Sequence, residues 1–442
     1  MDIKEFLRNN VIPATGCTEP AAVAYATSVA YHALCNSFPP DFSGPYAPPQ
    51  PGKLPKIGIM TDKNVYKNAL NVIVPGTDRQ KGLPIAAAAG IFLDPRKGLD
   101  VFSGMTPDIR DKASFMTLNG HVVTGMYPND TTGPSPDIRA EVTLKTHNQE
   151  KTSIVHITGR HNYIAEIQID GVVCYSDPQT SDPYDDPIPD SISDLVALAE
   201  SMDPDETDEV YKGIEMNMTL AEAGRDNKYG VALGMNFATI LRNQKGMLSL
   251  IDEVRVTAAN AGDARMGGAP CPVMSSAGSG NQGITALIPV AVIGRECKFS
   301  KEEICRAALI SHLFTRKVDL STGHLSALCG CSLKAGIGAT AGVTYLIGGG
   351  PNEITTAVNL LMGTITGTIC DGAKAGCSLK ISNAAGIATE CAFMAVGGMK
   401  IPADNGIIRK NFADTLQVLE RISCAMALVD TEIVQILKEK SV

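Results

Sequence analysis

Hydrophobic and polar residues follow two styles along this chain. Around its middle they form β-type runs, Ser153-Ile154-Val155-His156-Ile157-Thr158 and Tyr163-Ile164-Ala165-Glu166-Ile167-Gln168-Ile169. The second run closes at Asp170-Gly171 before Val172-Val173-Cys174, the signature of a β-hairpin. Residues 1–35 instead read as a helix, a polar break at Pro13-Ala14-Thr15-Gly16-Cys17-Thr18-Glu19-Pro20, and an Ala-rich helix from about Ala21 to Leu34. Thr18 and Pro20 suit N-cap and early-helix positions. From Ile192 onward the pattern is mostly helical with Gly-rich interruptions. The aperiodic stretch Ser37 to Pro55, rich in Pro, Gly, Ser and Phe, marks a linker and a domain boundary, and Ser176 to Asp190 is Asp/Pro-rich. Three runs (266–294, 335–352 and 354–370) carry no formal charge. Pro270, Pro272, Asn281 and Gln282, or the Gly348-Gly349-Gly350-Pro351 break, interrupt them, so they read as buried helices and loops rather than membrane spans.

The length of 442 residues allows two domains, or one large domain with another inserted. Hydrophobic residues at 44% and charged residues at 19% are globular composition. With 42 Gly, no Trp and only 5% aromatics, the core must come from Ala, Val, Ile, Leu and Gly, which predicts close helix packing. A net charge of -9 without a basic stripe argues against nucleic acid or an anionic membrane as partner and points to small molecules. The opening MDIKEFLRNN puts charges where a secretory signal needs an apolar stretch, so a cytoplasmic location is expected, with reduced cysteines. Twelve cysteines in that setting point to metal or catalysis rather than disulfides.

The densest sulfur neighbourhood is Cys329-Gly330-Cys331-Ser332-Leu333-Lys334 with Cys370-Asp371-Gly372-Ala373-Lys374-Ala375-Gly376-Cys377-Ser378-Leu379-Lys380. Glycine leaves space and free N–H groups around each sulfur, and Lys334, Lys374 and Lys380 would favour thiolates. Zinc's close C-x2-4-C spacing is absent, whereas an iron–sulfur cluster tolerates cysteines from distant loops. The plain alternative is small buried residues of a Gly/Ala core. Cys17, just ahead of a helix N-terminus, is a candidate base or nucleophile, with a buried thiol as the alternative. The loop Ser275 to Gly283 contains G-x-G-x-x-G, but no convincing strand precedes it. It reads better as a polar helix start where Ser279, Asn281 and Gln282 bind a small carboxylate. Lys67-Asn68 and Val74-Pro75-Gly76-Thr77 form a second strand–helix junction of a kind that often lines sites. His156 and His161 fall in or beside exposed-looking strands, His312 and His324 lie nearer the cysteines, and each reads as a structural histidine rather than a proton carrier.

Taken together, Gly16-Cys17-Thr18-Glu19-Pro20-Ala21-Ala22, Lys67-Asn68, Pro75-Gly76-Thr77, Gly82-Leu83-Pro84-Ile85-Ala86, Gly278-Ser279-Gly280-Asn281-Gln282-Gly283, Cys329-Gly330-Cys331 and Cys370-Asp371-Gly372-Ala373-Lys374 resemble the L-cysteine desulfidase family. That family is also known as UPF0597 and is similar to the α part of iron–sulfur L-serine dehydratases. The resemblance spans nearly the whole chain. It implies a 4Fe–4S enzyme without pyridoxal phosphate, with three cysteine ligands and one iron open as a Lewis acid. Cys331, Cys370 and Cys377 match the ligand positions, with Cys329 as substitute. Cys17 as thiolate would be the base, its pKa drawn down by the helix N-terminus, and Thr18, Asn68, Ser279, Asn281 and Gln282 would hold the substrate's carboxylate and ammonium. Two stretches depart from the family's pattern: Phe38 to Lys53 is unusually Pro-rich, and Met105 to Ser135 matches no block.

The expected fold class is α+β. Residues 1–45 supply N-terminal helices of a large, mostly helical catalytic domain, 46–190 form an inserted α+β domain carrying the strands, and 191–442 complete the catalytic domain and bear the cysteine cluster. The active site is expected where they meet. The implied reaction is β-elimination of L-cysteine to pyruvate, ammonia and sulfide. L-serine dehydration is the nearest rival, followed by a non-catalytic amino-acid- or metal-binding protein, and zinc on the four cysteines. An amino acid is the expected partner, and assembly into a homo-oligomer is left open.

Overall fold

The computed structural model describes residues 1–44, 49, 53–128, 135–145, 149–177 and 187–440. Parts of both Pro-rich segments, and of the unmatched stretch before Ser135, lie outside these residues. The chain opens with α1 (Ile3–Asn10), β1 (Pro13–Thr15) and α2 (Thr18–Leu34). It continues through β2 (Lys56–Thr61), α3 (Lys63–Ala69), α4 (Leu83–Gly90), α5 (Pro107–Leu118), β3 (Val122–Met126), β4 (Asp137–Lys145), β5 (Glu150–Thr158), β6 (Ile164–Ile169) and β7 (Val172–Ser176). The rest is helical apart from β8 (Pro272–Met274): α6 (Ile192–Glu200), α7 (Pro204–Asp226), α8 (Leu233–Lys245), α9 (Leu250–Met266), α10 (Gly280–Glu296), α11 (Lys301–Thr322), α12 (Ala335–Leu346), α13 (Pro351–Ile365), α14 (Cys377–Val396), α15 (Phe412–Ala425) and α16 (Ala427–Glu439). This is the expected α+β architecture. None of the described helices is long and apolar enough to cross a membrane.

Six strands form one sheet in the order β3-β2-β4-β5-β6-β7, parallel only between β2 and β3. Alternation decides which face is buried. Ile57 and Ile59 of β2 pair with Val142 and Ala140 of β4, and Ala140 and Ile138 pair onward with Val155 and Ile157 of β5, all buried. That face packs on α2, whose alanines leave room for it. The β6–β7 hairpin turns at Asp170-Gly171, both with positive φ, as the Asp-Gly pair predicts.

The helices of the second half pack as tightly as their small residues foreshadow. A Cβ on Gly224 of α7 would lie 1.9 Å from the Asn260 carbonyl oxygen of α9, so only glycine permits this crossing. The apolar core runs without interruption from α2 and the sheet into α9 to α14.

Candidate active site

Two backbone pairings build the cleft. First, β1 pairs antiparallel with β8, Pro13 opposite Met274 and Thr15 opposite Pro272. This sets the start of α2 beside the loop that leads into α10. Gly16, at φ +76°, lets the same turn press on Pro75, where a Cβ would come within 2.5 Å of the proline ring. Second, an isolated bridge joins Leu328 to Ile369, with Cys329 N–H donating to Thr368 O at 2.9 Å and Cys370 N–H to Ala327 O at 2.7 Å. The two cysteine loops are thereby fixed side by side.

These elements line a half-open cleft of about 660 Å³, solvent at its mouth included. Cys17, Asn68, Ser279, Asn281, Gln282, Cys329, Cys331, Cys370 and Cys377 all line it. Thr18 is buried at the first position of α2 and donates to Glu19 Oε2 at 3.3 Å. Residues that sequence reasoning placed at one site, though separated by up to hundreds of positions, therefore converge. The start of α2 lies slightly earlier than the alanine run suggests, with Cys17 itself at the N-cap.

Sequence reasoning gave no role to Glu19, which is 5% exposed and the centre of the polar network. Its Oε2 accepts the Cys17 thiol at 2.9 Å and its Oε1 accepts Asn68 Nδ2 at 2.8 Å. The Asn68 Oδ1 in turn accepts the Cys370 thiol at 3.7 Å, so one amide spans the α2 turn and the cysteine loops. Burial opposes ionisation of Glu19, but the His161 imidazole, the Cys17 thiol and the Asn68 amide together hold its carboxyl below the ordinary value. The expectation that the helix N-terminus lowers the Cys17 pKa is overturned. Burial, then the Glu19 charge, push this thiol well above the ordinary range, because an enclosed anion next to a carboxylate outweighs the helix end.

The expectation of exposure for His161 is also overturned. It follows β5 and is buried with His324, the ring centroids 5.2 Å apart and His324 Nε2 3.3 Å from His161 Nδ1. Asp319, itself bound by Arg316 Nη1 and Lys334 Nζ at 2.8 Å each, meets His324 Nδ1 at 3.0 Å. His161 Nε2 ends this chain 4.0 Å from Glu19 Oε1, without a hydrogen-bond partner among the described residues. Lys334, expected to act on the cysteines, is thus committed to Asp319. The sequence signal available was only that Glu19 stands inside the Gly16–Ala22 block at a helix start; nothing in the sequence marked His161.

The sulfur side has its own electrostatics. Cys329 Sγ and Cys331 Sγ share a hydrogen bond across 3.4 Å, a contact that draws Cys329 down, helped by Lys380 and Ser332, and pushes Cys331 up. Burial pushes Cys377 up to about 11 and raises Cys370, while Lys67 and Lys380 work against this at Cys370. Lys67, 1% exposed, is held by Asp430 of α16 at 2.5 Å. Gly330 lies against Gln282, where a Cβ would come 2.9 Å from Nε2, and Gly372 lies against the Lys67 carbonyl.

The chemistry of this donor set suits an iron–sulfur cluster: the cysteine sulfurs lining the cleft are soft ligands, and Lys67 and Lys380 offset thiolate charge. Among the described residues no three His, Cys, Asp or Glu side chains gather around a point as a single metal ion would require.

Known proteins resemble this chain over most of its length. The sequence profile of the family described as serine dehydratase alpha chain matches residues 97–435. A UPF0597 protein of Desulfatibacillum aliphaticivorans is 33% identical over 99% of this chain and 98% of its own length. One from Clostridium botulinum (strain Loch Maree / Type A3) is 34% identical over 94% of this chain and 91% of its own. One from Caldanaerobacter subterraneus subsp. tengcongensis is 34% identical over 99% and 98%.

Proposed function

The chain belongs to the serine dehydratase α-chain family, and from that premise we propose that it is a carbon–sulfur lyase that converts L-cysteine to pyruvate, ammonia and sulfide. The observation that carries this reading is the single cleft shared by Cys17, the start of α10 and the cysteines of two distant loops. In it Cys331, Cys370 and Cys377 would hold a 4Fe–4S cluster, with Cys329 as substitute ligand. When bound, such a cluster supplies a Lewis acid at an iron without a protein ligand.

The chain's own groups move the protons. The Cys17 S–H bond breaks toward Glu19 Oε2, the oxygen it already meets at 2.9 Å, in an uphill transfer from the resting thiol and carboxylate, so the thiolate and neutral carboxyl are a minor pair that proton abstraction at Cα consumes. The thiolate takes the Cα proton and becomes S–H again. Glu19 returns its proton to the departing sulfide and is a carboxylate once more. Aminoacrylate then tautomerises and hydrolyses to pyruvate and ammonia. Asn281 Oδ1 and Gln282 Oε1, buried and without partners among the described residues, are acceptors for the substrate ammonium. Ser279 and the first amides of α10, which have no intrahelical acceptors, face its carboxylate.

Protein purified anaerobically should carry about four iron and four labile sulfide per chain with absorption near 400 nm. Protein that stays colourless and iron-free after reconstitution removes the cluster from the mechanism. Loaded enzyme should favour L-cysteine over L-serine in kcat/KM; a preference for serine above tenfold replaces the proposal with serine dehydration, the reading that the family's description favours. Cys17→Ser should lower turnover by about 100-fold or more, as loss of a general base does. Full turnover in that variant sinks the role of Cys17.

A further inference from the structure

Arg265 occupies the last turn of α9, is 2% exposed, and lines the cleft. Among the described residues its Nη1 reaches only the Met266 sulfur, at 3.8 Å, a weak acceptor. Its Nε and Nη2 are buried without a hydrogen-bond partner among the described residues. A permanently charged guanidinium with two idle donors in a closed interior is a costly arrangement unless an anion completes it. The neighbouring structure is shaped around that group. Gly280, the first residue of α10, lies so close that a Cβ would sit 2.5 Å from Arg265 Nε. The fork of the guanidinium therefore lies against a helix N-terminus whose cap residue, Ser279, makes no side-chain cap bond.

We infer that Arg265 is the anchor for the α-carboxylate of the substrate, clamping it together with the first amides of α10. This rests on reading the cleft as an amino-acid lyase site. The chemistry selects the ligand class: a planar, bidentate donor beside helix amides matches a carboxylate and repels an ammonium. Fixing the carboxylate places Cα one bond away, and the same cation offsets the negative charge that spreads onto the carboxylate as the Cα proton leaves. Substrates without that carboxylate lose the anchor while keeping everything else.

The test compares L-cysteine with cysteamine, which has the same thiol and ammonium but no carboxylate, on cluster-loaded parent, Arg265→Gln and Arg265→Lys. The expected result is a rise in KM for L-cysteine of about 100-fold in R265Q, the loss typical of a charge-assisted bidentate contact, and a partial recovery in R265K. The inhibition constant of cysteamine should stay within about twofold in both variants, which also shows that they are folded. An unchanged KM, an equal rise for cysteine and cysteamine, or a loss of iron with KM unaltered each overturns the inference. If the parent uses L-serine instead, the cysteine reading fails, yet serine and ethanolamine test the anchor in the same way. If the parent turns over neither, calorimetric binding of the same two pairs decides it: equal affinities with and without the carboxylate overturn the anchor.

Discussion

His161 and His312 are held neutral inside the protein, where burial pushes their pKa values down to about 4 and about 3. An unfolded chain protonates both near pH 6.5, so it takes up protons that the folded chain refuses. Stability is therefore present in full above about pH 6.5 and falls as pH drops toward 4, by about 2 kcal/mol per histidine at pH 5. Urea unfolding at pH 7 and pH 5 checks this, and His312→Gln should remove about half of the difference. An identical loss in the variant means that burial of His312 is not its source. These histidines also mark where the sequence stopped being legible. Cys17, Asn68, Asn281 and the paired cysteine loops stood in short, distinctive blocks, and all of them line the cleft. Glu19 lay inside such a block but took its meaning from Asn68 and His161, and Arg265 from Gly280, partners brought together only by folding.

Among the elements, local chemistry was the better guide. The Asp-Gly hairpin, the polar break before α2 and the helix after Ser279 follow from turn residues and caps that act within a few positions. The crossings do not, because they depend on which backbone meets a small residue. Gly224 against Asn260 is such a meeting between α7 and α9. Gly224→Ala puts a methyl group into a carbonyl oxygen that neither helix can move away from, and should cost about 3 kcal/mol. Chemical denaturation of that variant is the check. An alanine tolerated within about 0.5 kcal/mol means the helices separate more easily than their packing suggests. Extended β-type runs likewise announced β5 and β6, but not that β2 enters the same sheet between β3 and β4, which requires a return from about eighty residues further along the chain.

At the scale of the molecule, the cleft is locked from the far end of the sequence. Lys67, beside Asn68 and the Cys370 loop, is closed in by Asp430 on α16, and both side chains are 3% exposed or less. Removing only the carboxylate leaves a buried unpaired ammonium, so Asp430→Ala should destabilise by about 3–5 kcal/mol. Replacing both, Lys67→Met with Asp430→Leu, should recover most of that loss, since a pair of apolar side chains needs no counter-charge. A double-mutant cycle by urea denaturation measures the coupling, and additive losses would show that the two act independently.

The 363 positions between these partners also order events in time. A ribosome delivers Lys67 long before Asp430, so the strands and the α2 turn emerge well ahead of the wall that confines them. A nascent chain stalled short of α16 would already carry Cys329, Cys331, Cys370 and Cys377 and still lack the carboxylate that closes Lys67 in beside them.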